Sequence, residues 1–329
     1  GKLYLAGFKR RSMKEKGVLL FIAALFILAA CNNDDSANNV EVVPPRPLAE
    51  VEAENNAEIK AFLNTHYYNY EEFENPPADF DFKIVLDTIT DETQDKIPLS
   101  EQVSTMTIPV SSATFNLDED VTVNHTLYYL AAREGIGESP TVGDSTFVAY
   151  EGQLLSGEIF DSNTTYTWQY LPFFLRGYAA GVSNFKVGDE IISNPDGTIE
   201  ITGSGIGLMF IPSGLAYFNN PPLGSGIFNY DILVFQVNTG LFIEATDYDN
   251  DGIPSIMEDL NNNGNLSDDN TDASTELSSG FGFVPNHLDR DDDQDGILTR
   301  DEIVIDAGGN ISFPDSDGDG TPDYLDADS

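Results

Sequence analysis

Acidic side chains in the last quarter of the chain recur with a spacing that suits metal binding. Three runs place Asp at alternate positions before a glycine and a carboxylate at the twelfth position: Asp247, Asp249, Asp251 and Glu258; Asp291, Asp293, Asp295 and Glu302; Asp315, Asp317, Asp319 and Asp326. A calcium loop needs oxygen ligands at its first, third and fifth residues, glycine at the sixth for a sharp turn, and a carboxylate at the twelfth. These side chains are therefore predicted to bind calcium. A weaker run, from Asp259 to Gly264, carries Asn at two of the ligand positions.

The segments around these runs do not have the amphipathic pattern of EF-hand helices. They read instead GIPSIMED, VPNHLDRD and TPDYLDAD, each with a proline and a closing acid. This repeated sequence pattern resembles that of thrombospondin type 3 repeats. The resemblance implies that structural calcium ions replace a hydrophobic core in residues 244–329. So few apolar residues could not otherwise offset the entropy of ordering the chain. The alternative is a disordered acidic spacer.

The overall charge limits the classes of partner. The 329 residues carry a formal net charge of −41, which disfavours nucleic acid because its phosphates would be repelled. A single cysteine excludes a disulfide framework and a zinc site made of Cys pairs, and the three histidines are far apart in sequence. Calcium, predicted from the spacing of the acidic residues, therefore stays the expected ligand of the tail.

The N-terminal segment has the pattern of an export signal. Residues 14–30, KEKGVLLFIAALFILAA, start with basic residues and continue with an apolar stretch typical of a signal-peptide core. Cys31 follows, and LAAC resembles the lipobox of bacterial lipoproteins, which implies lipidation of Cys31 and a membrane contact through that anchor. The alternative is a plain secretory signal. We predict a signal peptide with lipobox in residues 1–31, a flexible tether in 32–47, and a place in the bacterial cell envelope, on the periplasmic or outer side of the outer membrane.

Residues 48–126 are predicted to form an N-terminal helix and extra strands. Leu48 to Tyr68 has a moderate amphipathic helical pattern, and alternating apolar residues predict strands at 82–86 and 106–110. The helix could pair two copies of the chain into a homodimer or pack on its own domain. From Val121 to Ile243 the sequence is β-rich with glycine-marked turns.

Five fragments within this β-rich region stand in an order that resembles FKBP-type peptidyl-prolyl cis-trans isomerases. They are VGDSTFVAYEGQLLSG, EIFDS, FLRGYAAGVSNFKVGDE, FIPSGLAYFNNPP and DILVFQVNTG. The resemblance covers residues 127–243 and implies an α+β fold, with an antiparallel sheet of about five strands wrapped on one short helix. The predicted N-terminal helix precedes this FKBP-like domain, and the loop-rich acidic tail follows it.

The activity implied by this resemblance is rotation about X–Pro bonds, in proline-containing polypeptide clients. The barrier is about 18–20 kcal/mol and requires neither nucleophile nor cofactor. A dry aromatic cup can favour the twisted amide, which has less charge separation than the planar form. The residues implied for the cup are Tyr150, Phe160, Asp161, Leu175, Tyr178, Tyr217, Ile227 and Phe235. In the family, the position of Tyr217 donates a hydrogen bond to a bound carbonyl, that of Asp161 makes a polar contact on the wall, and that of Tyr178 forms the floor.

This chain departs from the family pattern at several positions. Tyr178 stands where Trp is usual, Phe174 where a smaller aliphatic residue is common, and Phe218 where a turn has glycine. Trp168 is a candidate replacement for one phenylalanine of the cup, and an insertion lengthens the hairpin between residues 189 and 210. The alternative interpretation is that these aromatic residues only fill a core.

The sequence thus favours a lipid-anchored isomerase or chaperone that assists the folding of envelope or surface proteins, with a calcium-stabilised tail. Two alternatives stay open: a non-catalytic protein that holds proline-containing segments, and a structural calcium-binding surface lipoprotein in which the middle domain is a spacer.

Overall fold

The computed structural model describes residues 44–280 and 282–329, and residues 45–329 form one compact unit. The predicted signal peptide, Cys31 and most of the predicted tether lie outside the described residues. Within the described ranges, no helix is both long enough and apolar enough to cross a membrane.

Five helices and twelve strands make up the regular structure of the described residues. The helices are α1 (Leu48–Thr65), α2 (Tyr70–Glu74), α3 (Arg176–Val182), α4 (Ala273–Ser279) and α5 (Thr299–Glu302). The strands are β1 (His66–Tyr68), β2 (Leu86–Thr88), β3 (Ser104–Ser111), β4 (Thr122–Arg133), β5 (Ser145–Leu154), β6 (Ile159–Tyr170), β7 (Ile191–Ser193), β8 (Ile199–Ile201), β9 (Gly205–Ile211), β10 (Leu233–Ile243), β11 (Val304–Ile305) and β12 (Ile311–Ser312).

A six-stranded antiparallel sheet is the centre of the fold. Its strand order is β3-β4-β9-β10-β5-β6. Every residue of β9, GIGLMFI, is buried, because side chains alternate between the two faces and both faces are covered. The predicted α+β class, with an antiparallel sheet against a short helix, is confirmed. The sheet has one strand more than the expected five because β3, predicted at 106–110, pairs with β4 at its edge.

Helix α3 covers one face of the sheet. Met209 and Ile211 of β9 belong to the same buried cluster as Tyr178 and Val182 of this helix. Gly177 and Gly181 permit the close approach, because a Cβ atom at either position would collide with the side chains of Ile211 or Met209. This helix therefore places Tyr178 directly against the sheet.

Helix α1 packs on its own chain. Its buried residues Ile59 and Leu63 join the second cluster, which contains Leu208 and Phe210 from the opposite face of β9. Asn55 fastens the helix, since its Oδ1 accepts hydrogen bonds from the backbone N and the Oγ of Ser213 at 2.8 and 2.7 Å. The apolar stripe that could pair two copies is thus buried within the chain, and a homodimer stays a prediction.

Two predicted elements differ from the structure. The helix ends at Thr65 rather than Tyr68, because residues 66–68 leave it to form β1 and pair with β2. The strand predicted at 82–86 is reduced to β2, which starts at Leu86. Phe82 has a φ of 58°, which a continuous strand does not allow, and its ring lies 4.1 Å from the guanidinium carbon of Arg133.

Residues 244–329 consist mainly of loops. A small apolar cluster of Ile253, Ile303 and Tyr324 is the local core. The start of this tail is held on the sheet domain by Thr246, whose backbone N donates to Asp144 Oδ1 at 3.2 Å and whose Oγ1 accepts from the Ser145 backbone N at 2.9 Å.

Candidate functional site

Aromatic side chains of the middle domain line one cavity of about 370 Å³, here called the aromatic cup. Its lining residues are Tyr150, Phe160, Asp161, Phe173, Phe174, Leu175, Tyr178, Tyr217 and Phe235. The structure therefore brings together seven of the eight side chains predicted for this site. Ile227 is the exception: it is buried in the same cluster as Tyr178 and Phe235 but does not line the cavity.

The sheet and two adjoining turns position the cup residues. Tyr150 lies on β5, Phe160 and Asp161 on β6, and Phe235 on β10. Phe235 pairs with Gly152 of β5. A Cβ atom at position 152 would lie 2.7 Å from Phe160 Cζ and 2.8 Å from Phe235 Cε1, so glycine here lets the two rings meet across the strand.

Tyr178 forms the floor of the cup. It is 2% exposed, and its ring centroid lies 5.1 Å from that of Phe235 and 6.1 Å from that of Tyr150. Its hydroxyl donates to Gln169 Oε1 at 2.8 Å. This hydrogen bond satisfies the polar end of the ring, so tyrosine can occupy a buried floor without cost from an unpaired hydroxyl.

The polar groups of the cup are two tyrosine hydroxyls and one carboxylate. Tyr150 donates to Asp161 Oδ2 at 2.7 Å, and burial, with this hydrogen bond in second place, raises the pKa of Tyr150 to about 12. Burial also raises the pKa of Tyr217, and Asp161 adds to the shift. Tyr217 is half-buried and is therefore a neutral hydroxyl donor at the wall of the cup at neutral pH.

Two aromatic residues differ from the predictions for the cup. Trp168 is 51% exposed and packs on Phe147 of β5, with ring centroids 5.0 Å apart, so it does not replace a cup residue. Phe173 lines the cup but was not predicted. The sequence signal was the pair Phe173–Phe174 in PFFLRGY, two large apolar residues directly before the helix that carries Tyr178. In the structure the two rings are exposed by 56% and 41%. The predicted insertion is only partly a hairpin: β7 pairs with β8, but residues from Gly205 onward belong to the buried central strand β9.

Four acidic loops in the tail share positive φ angles at their fourth and sixth residues. We number them by position: the first acidic loop (247–258), the second (259–269), the third (291–302) and the fourth (315–326). Their sixth residues have φ values of 105°, 74°, 99° and 105°, and their fourth residues also have positive φ, at 66°, 56°, 58° and 81°. The sharp turn that glycine was predicted to permit is therefore present in all four, including the loop with two Asn residues.

Carboxylate oxygens at the alternate Asp positions converge in three of these loops, whereas the twelfth residues Glu302 and Asp326 belong to no converging group of the described residues. In the first, third and fourth acidic loops, one oxygen from each of the first, third and fifth residues lies within 4.8 Å of the others. At the twelfth position, Glu258 is 1% exposed. Both of its oxygens are buried without a hydrogen-bond partner in the described part of the chain, as are Glu302 Oε2 and Asp326 Oδ2.

These carboxyl groups lie where an ionised carboxylate is disfavoured unless a positive charge is nearby. Burial, followed by neighbouring negative charge, raises the pKa of Glu258 to about 11 and that of Asp249 to about 8. Ionised carboxylates in such surroundings need a compensating positive charge. Oxygen donors of this number suit calcium, which accepts 6–8 of them. The donor set thus fits the predicted ion, with the ligands taken from the residues at positions one, three, five and twelve.

Further acidic residues that the spacing did not predict also converge. Asp292 groups with Asp251 and Glu258, and Asp272 and Glu276 group with Asp289. The residues that the spacing did not predict occupy no ligand position of the loop pattern; they are Asp272, Glu276, Asp289 and Asp292. Their grouping depends on how the loops pack on one another, which a local pattern does not encode.

The first acidic loop contacts the rim of the aromatic cup. Tyr248 stacks on Tyr170 with ring centroids 4.1 Å apart and meets Phe173 edge-on at 5.1 Å. The Tyr170 hydroxyl and His287 Nδ1 are 2.8 Å apart. At the start of α3, Arg176 Nη2 donates to the backbone oxygen of Asn263 at 2.9 Å. Loops of the tail thus hold both ends of the segment that carries the cup residues Phe173 and Leu175.

Comparison with protein families gave one match, to the BamM C-terminal family model over residues 248–314. A comparison with curated proteins found no match. Among solved structures, a peptidyl-prolyl cis-trans isomerase from Pseudomonas syringae pv. tomato DC3000 is 22% identical over 36% of this chain and 76% of its own, with a TM-score of 0.30.

Two other structures were found in this comparison. FkpA from Escherichia coli is 20% identical, over 71% of this chain and 75% of its own, with a TM-score of 0.32. The three FKBP domains of wheat FKBP73 are 17% identical, over 37% of this chain and 46% of theirs, with a TM-score of 0.30.

Proposed function

We propose that residues 127–243 form an FKBP-type peptidyl-prolyl cis-trans isomerase domain that acts on proline-containing segments of envelope or surface proteins. One observation carries the proposal: seven side chains taken from the family resemblance line a single cavity with Tyr178 as its floor. A core filled by the same aromatic residues would leave no opening, whereas here Tyr150, Phe160 and Tyr217 stay partly accessible around the buried floor.

Rotation about an X–Pro bond requires no bond to be formed or broken, so the cup has only to favour the twisted amide. A proline ring seated on Tyr178 would lie among the rings of Phe160 and Phe235, in surroundings with few polar groups. Such surroundings favour the twisted amide, whose charge separation is reduced, over the planar amide. Tyr217 donates a hydrogen bond to a carbonyl of the bound segment. The Tyr150 hydroxyl is already committed to Asp161, so this pair keeps the carboxylate on the wall rather than over the amide.

The acidic tail is proposed to bind structural calcium through the predicted ligands in the first, third and fourth acidic loops. Support comes from buried carboxylate oxygens without partners in the described residues and from four loops with positive φ angles at their fourth and sixth residues. Calcium supplies positive charge and links oxygens from successive turns. The tail would otherwise hold 24 Asp and Glu residues against two Arg.

Lipid attachment at Cys31 is proposed to anchor the protein in the bacterial cell envelope. The support is the sequence pattern alone: an apolar signal core that ends in LAAC, with the one cysteine of the chain at its end. Cys31→Ala should move the protein from the membrane fraction to the soluble fraction of lysed cells. Retention of the variant in the membrane fraction would contradict lipid anchoring.

A refolding assay tests whether the protein acts on X–Pro bonds of other polypeptides. We expect residues 32–329 to accelerate the slow phase of a protein whose refolding is limited by X–Pro isomerisation, a step of tens to hundreds of seconds when uncatalysed. Tyr217→Phe should weaken the acceleration. The matched control is Tyr67→Phe, because Tyr67 is a half-buried tyrosine on β1 outside the cup. An unaccelerated slow phase together with suppressed aggregation would point instead to a protein that holds proline-containing segments without turnover.

A further inference from the structure

Asp292 lies at the second position of the third acidic loop, where the loop pattern assigns no ligand. Its side chain is nonetheless 1% exposed. One of its oxygens lies within 4.8 Å of oxygens of Asp251 and Glu258, which belong to the first acidic loop. Three buried carboxylates from two loops distant in sequence thus meet at one point.

Oxygens of this group lack hydrogen-bond partners within residues 44–280 and 282–329. They are Asp251 Oδ2, both oxygens of Glu258, and Asp292 Oδ1. Asp251 and Glu258 are also 1% exposed, so bulk water does not reach them. The ion pairs found in the described residues all lie between Arg46 and Glu151 in sequence and leave these carboxylates without a basic partner. Buried carboxylate oxygens that have neither a hydrogen bond nor a basic partner must hold a proton or coordinate a cation, and four such oxygens in one cluster favour a metal ion.

We propose that Asp251, Glu258 and Asp292 form one calcium site that bridges the first and third acidic loops. The inference rests on the calcium binding proposed for the tail, and it adds a ligand and a connection that the loop pattern does not contain. Asp249 Oδ2 is another buried oxygen without a partner in the described chain, and Asp249 converges with Asp247 and Asp251 in the adjoining group of the first loop.

The chemical type of the donor atoms determines which metal ion the site should prefer. All are carboxylate oxygens, which suit a hard cation and not the softer metals that prefer sulfur or nitrogen. The site is nearly closed to solvent, whereas magnesium usually keeps several of its waters. Calcium gives up its water more readily and tolerates irregular geometry, so it is the divalent ion that this site should prefer.

Neighbouring residues hold Asp292 in place for this role. The fully buried hydroxyl of Thr299 donates to Asp292 Oδ2 at 3.1 Å, which fixes the carboxylate and leaves Oδ1 available. Arg290, two residues earlier, donates from Nε to the backbone oxygen of Asp249 at 2.5 Å. This contact joins the third loop to the first independently of the carboxylates. Asp292 is therefore already in place when an ion arrives.

A bridging ligand makes the two loops one binding unit. An ion in the first loop would be held in part by the third loop, so occupancy of one loop should order the other. Binding to the two loops should consequently be positively cooperative, and removing Asp292 should weaken binding to the first loop although the change lies in the third.

The test compares Asp292→Asn with Asp301→Asn in residues 32–329. Asp301 is an exposed residue of the same loop that belongs to none of the converging groups, so it is a control with the same charge change. Calcium binding would be measured by isothermal titration calorimetry, and thermal unfolding by circular dichroism with calcium and in calcium-depleted buffer.

We expect Asp292→Asn to weaken one calcium site by about tenfold or more and to lower the unfolding midpoint with calcium. Without calcium the same variant should unfold at the same or a higher midpoint, because Asn keeps the shape of Asp292 and removes a buried carboxyl group that must otherwise hold a proton or carry an uncompensated charge. Asp301→Asn should match the wild type in the titration. A role in packing alone would lower the midpoint in both buffers and would overturn the proposal.

The results also separate this inference from the function proposed for the tail. A wild type that binds calcium, with an Asp292→Asn titration identical to that of Asp301→Asn, would contradict the bridging site alone. A wild type that binds no calcium would contradict both.

Discussion

The ring of Tyr248 stacks on the ring of Tyr170 with their centroids 4.1 Å apart. Tyr248 stands between two predicted calcium ligands, Asp247 and Asp249, and its ring also meets Phe173 of the aromatic cup. An acidic loop and the rim of the cup therefore share one aromatic side chain. A change in the conformation of the first acidic loop should therefore change the packing of Phe173 at the rim of the aromatic cup.

Calcium removal is expected to lower isomerase activity through this contact. Without the ion, repulsion among the carboxylates would move the first loop and withdraw Tyr248 from Phe173. An aromatic pair contributes about 0.5–1.5 kcal/mol, so kcat/KM for a proline-containing peptide should fall roughly two- to tenfold. The measurement is peptide turnover with calcium and in calcium-depleted buffer.

Tyr248→Ala is the control for this coupling. The variant should have the lower activity in both buffers, because the ring that transmits the effect is missing. If calcium still changes its activity as much as that of the wild type, Tyr248 does not connect the loop with the cup.

Tyr217→Phe is expected to reduce catalysis while leaving stability almost unchanged. The substitution keeps the ring and removes one hydroxyl donor, and a hydrogen bond is worth about 0.5–1.5 kcal/mol. The rate should fall roughly two- to tenfold, measured by a chymotrypsin-coupled peptide assay. Equal rates for the variant and the wild type would exclude this hydroxyl from the reaction.

Gly152→Ala is expected to close the aromatic cup. The added Cβ would lie 2.7 Å from Phe160 Cζ and 2.8 Å from Phe235 Cε1, so both rings must shift toward the cavity. Overpacking of this kind costs about 1–3 kcal/mol of unfolding free energy, and peptide binding should be lost along with it. Chemical denaturation and a peptide titration measure the two effects. Unchanged peptide affinity would show that ligands do not enter between these rings.

The stability of the tail is expected to depend on pH with opposite signs in the absence and presence of calcium. Burial raises the pKa of Asp249 to about 8 and that of Asp292 to about 9 in the folded chain, against about 4 for an unfolded Asp. Without calcium the folded state binds the extra protons, so its stability is greatest below about pH 4 and is lost as the pH rises through the folded values.

Calcium reverses this trend because its ligands must be ionised. The stabilisation that calcium adds should therefore grow as the pH rises over the same range. Thermal unfolding at about pH 5 and about pH 8, with and without calcium, measures both slopes. A midpoint that rises with pH in calcium-depleted buffer would contradict the linkage argued from these carboxylates.

The sequence predicted most of the cup because its residues fall in fragments with a characteristic order. Tyr150, Asp161 and Tyr217 were placed by those fragments, and the strand register brings them to one cavity. Ile227 packs in the same cluster as Tyr178 and Phe235 but does not line the cavity. It lies in the long connection between β9 and β10, whose course a local pattern does not fix. Trp168 was ambiguous because a bulge between β5 and β6 shifts the register along the strand.

In the acidic tail, a local sequence pattern predicts the conformation within each loop but not the contacts between loops. Positions one, three, five and six follow from the chemistry of a single loop, and the backbone of all four loops agrees with it. Asp292 stands at a position without a role in that pattern. Its convergence with Asp251 and Glu258 is a result of packing between loops, which requires the tertiary structure.

The most direct test of the proposed function is exchange NMR on Ala-Xaa-Pro-Phe peptides with residues 32–329 present in catalytic amounts and calcium added. This measurement detects interconversion of the cis and trans isomers without a coupled enzyme. Acceleration above the spontaneous rate, reduced in Tyr217→Phe and intact in Tyr67→Phe, is the result that we predict. Peptide binding at the cup without any acceleration would contradict isomerase activity.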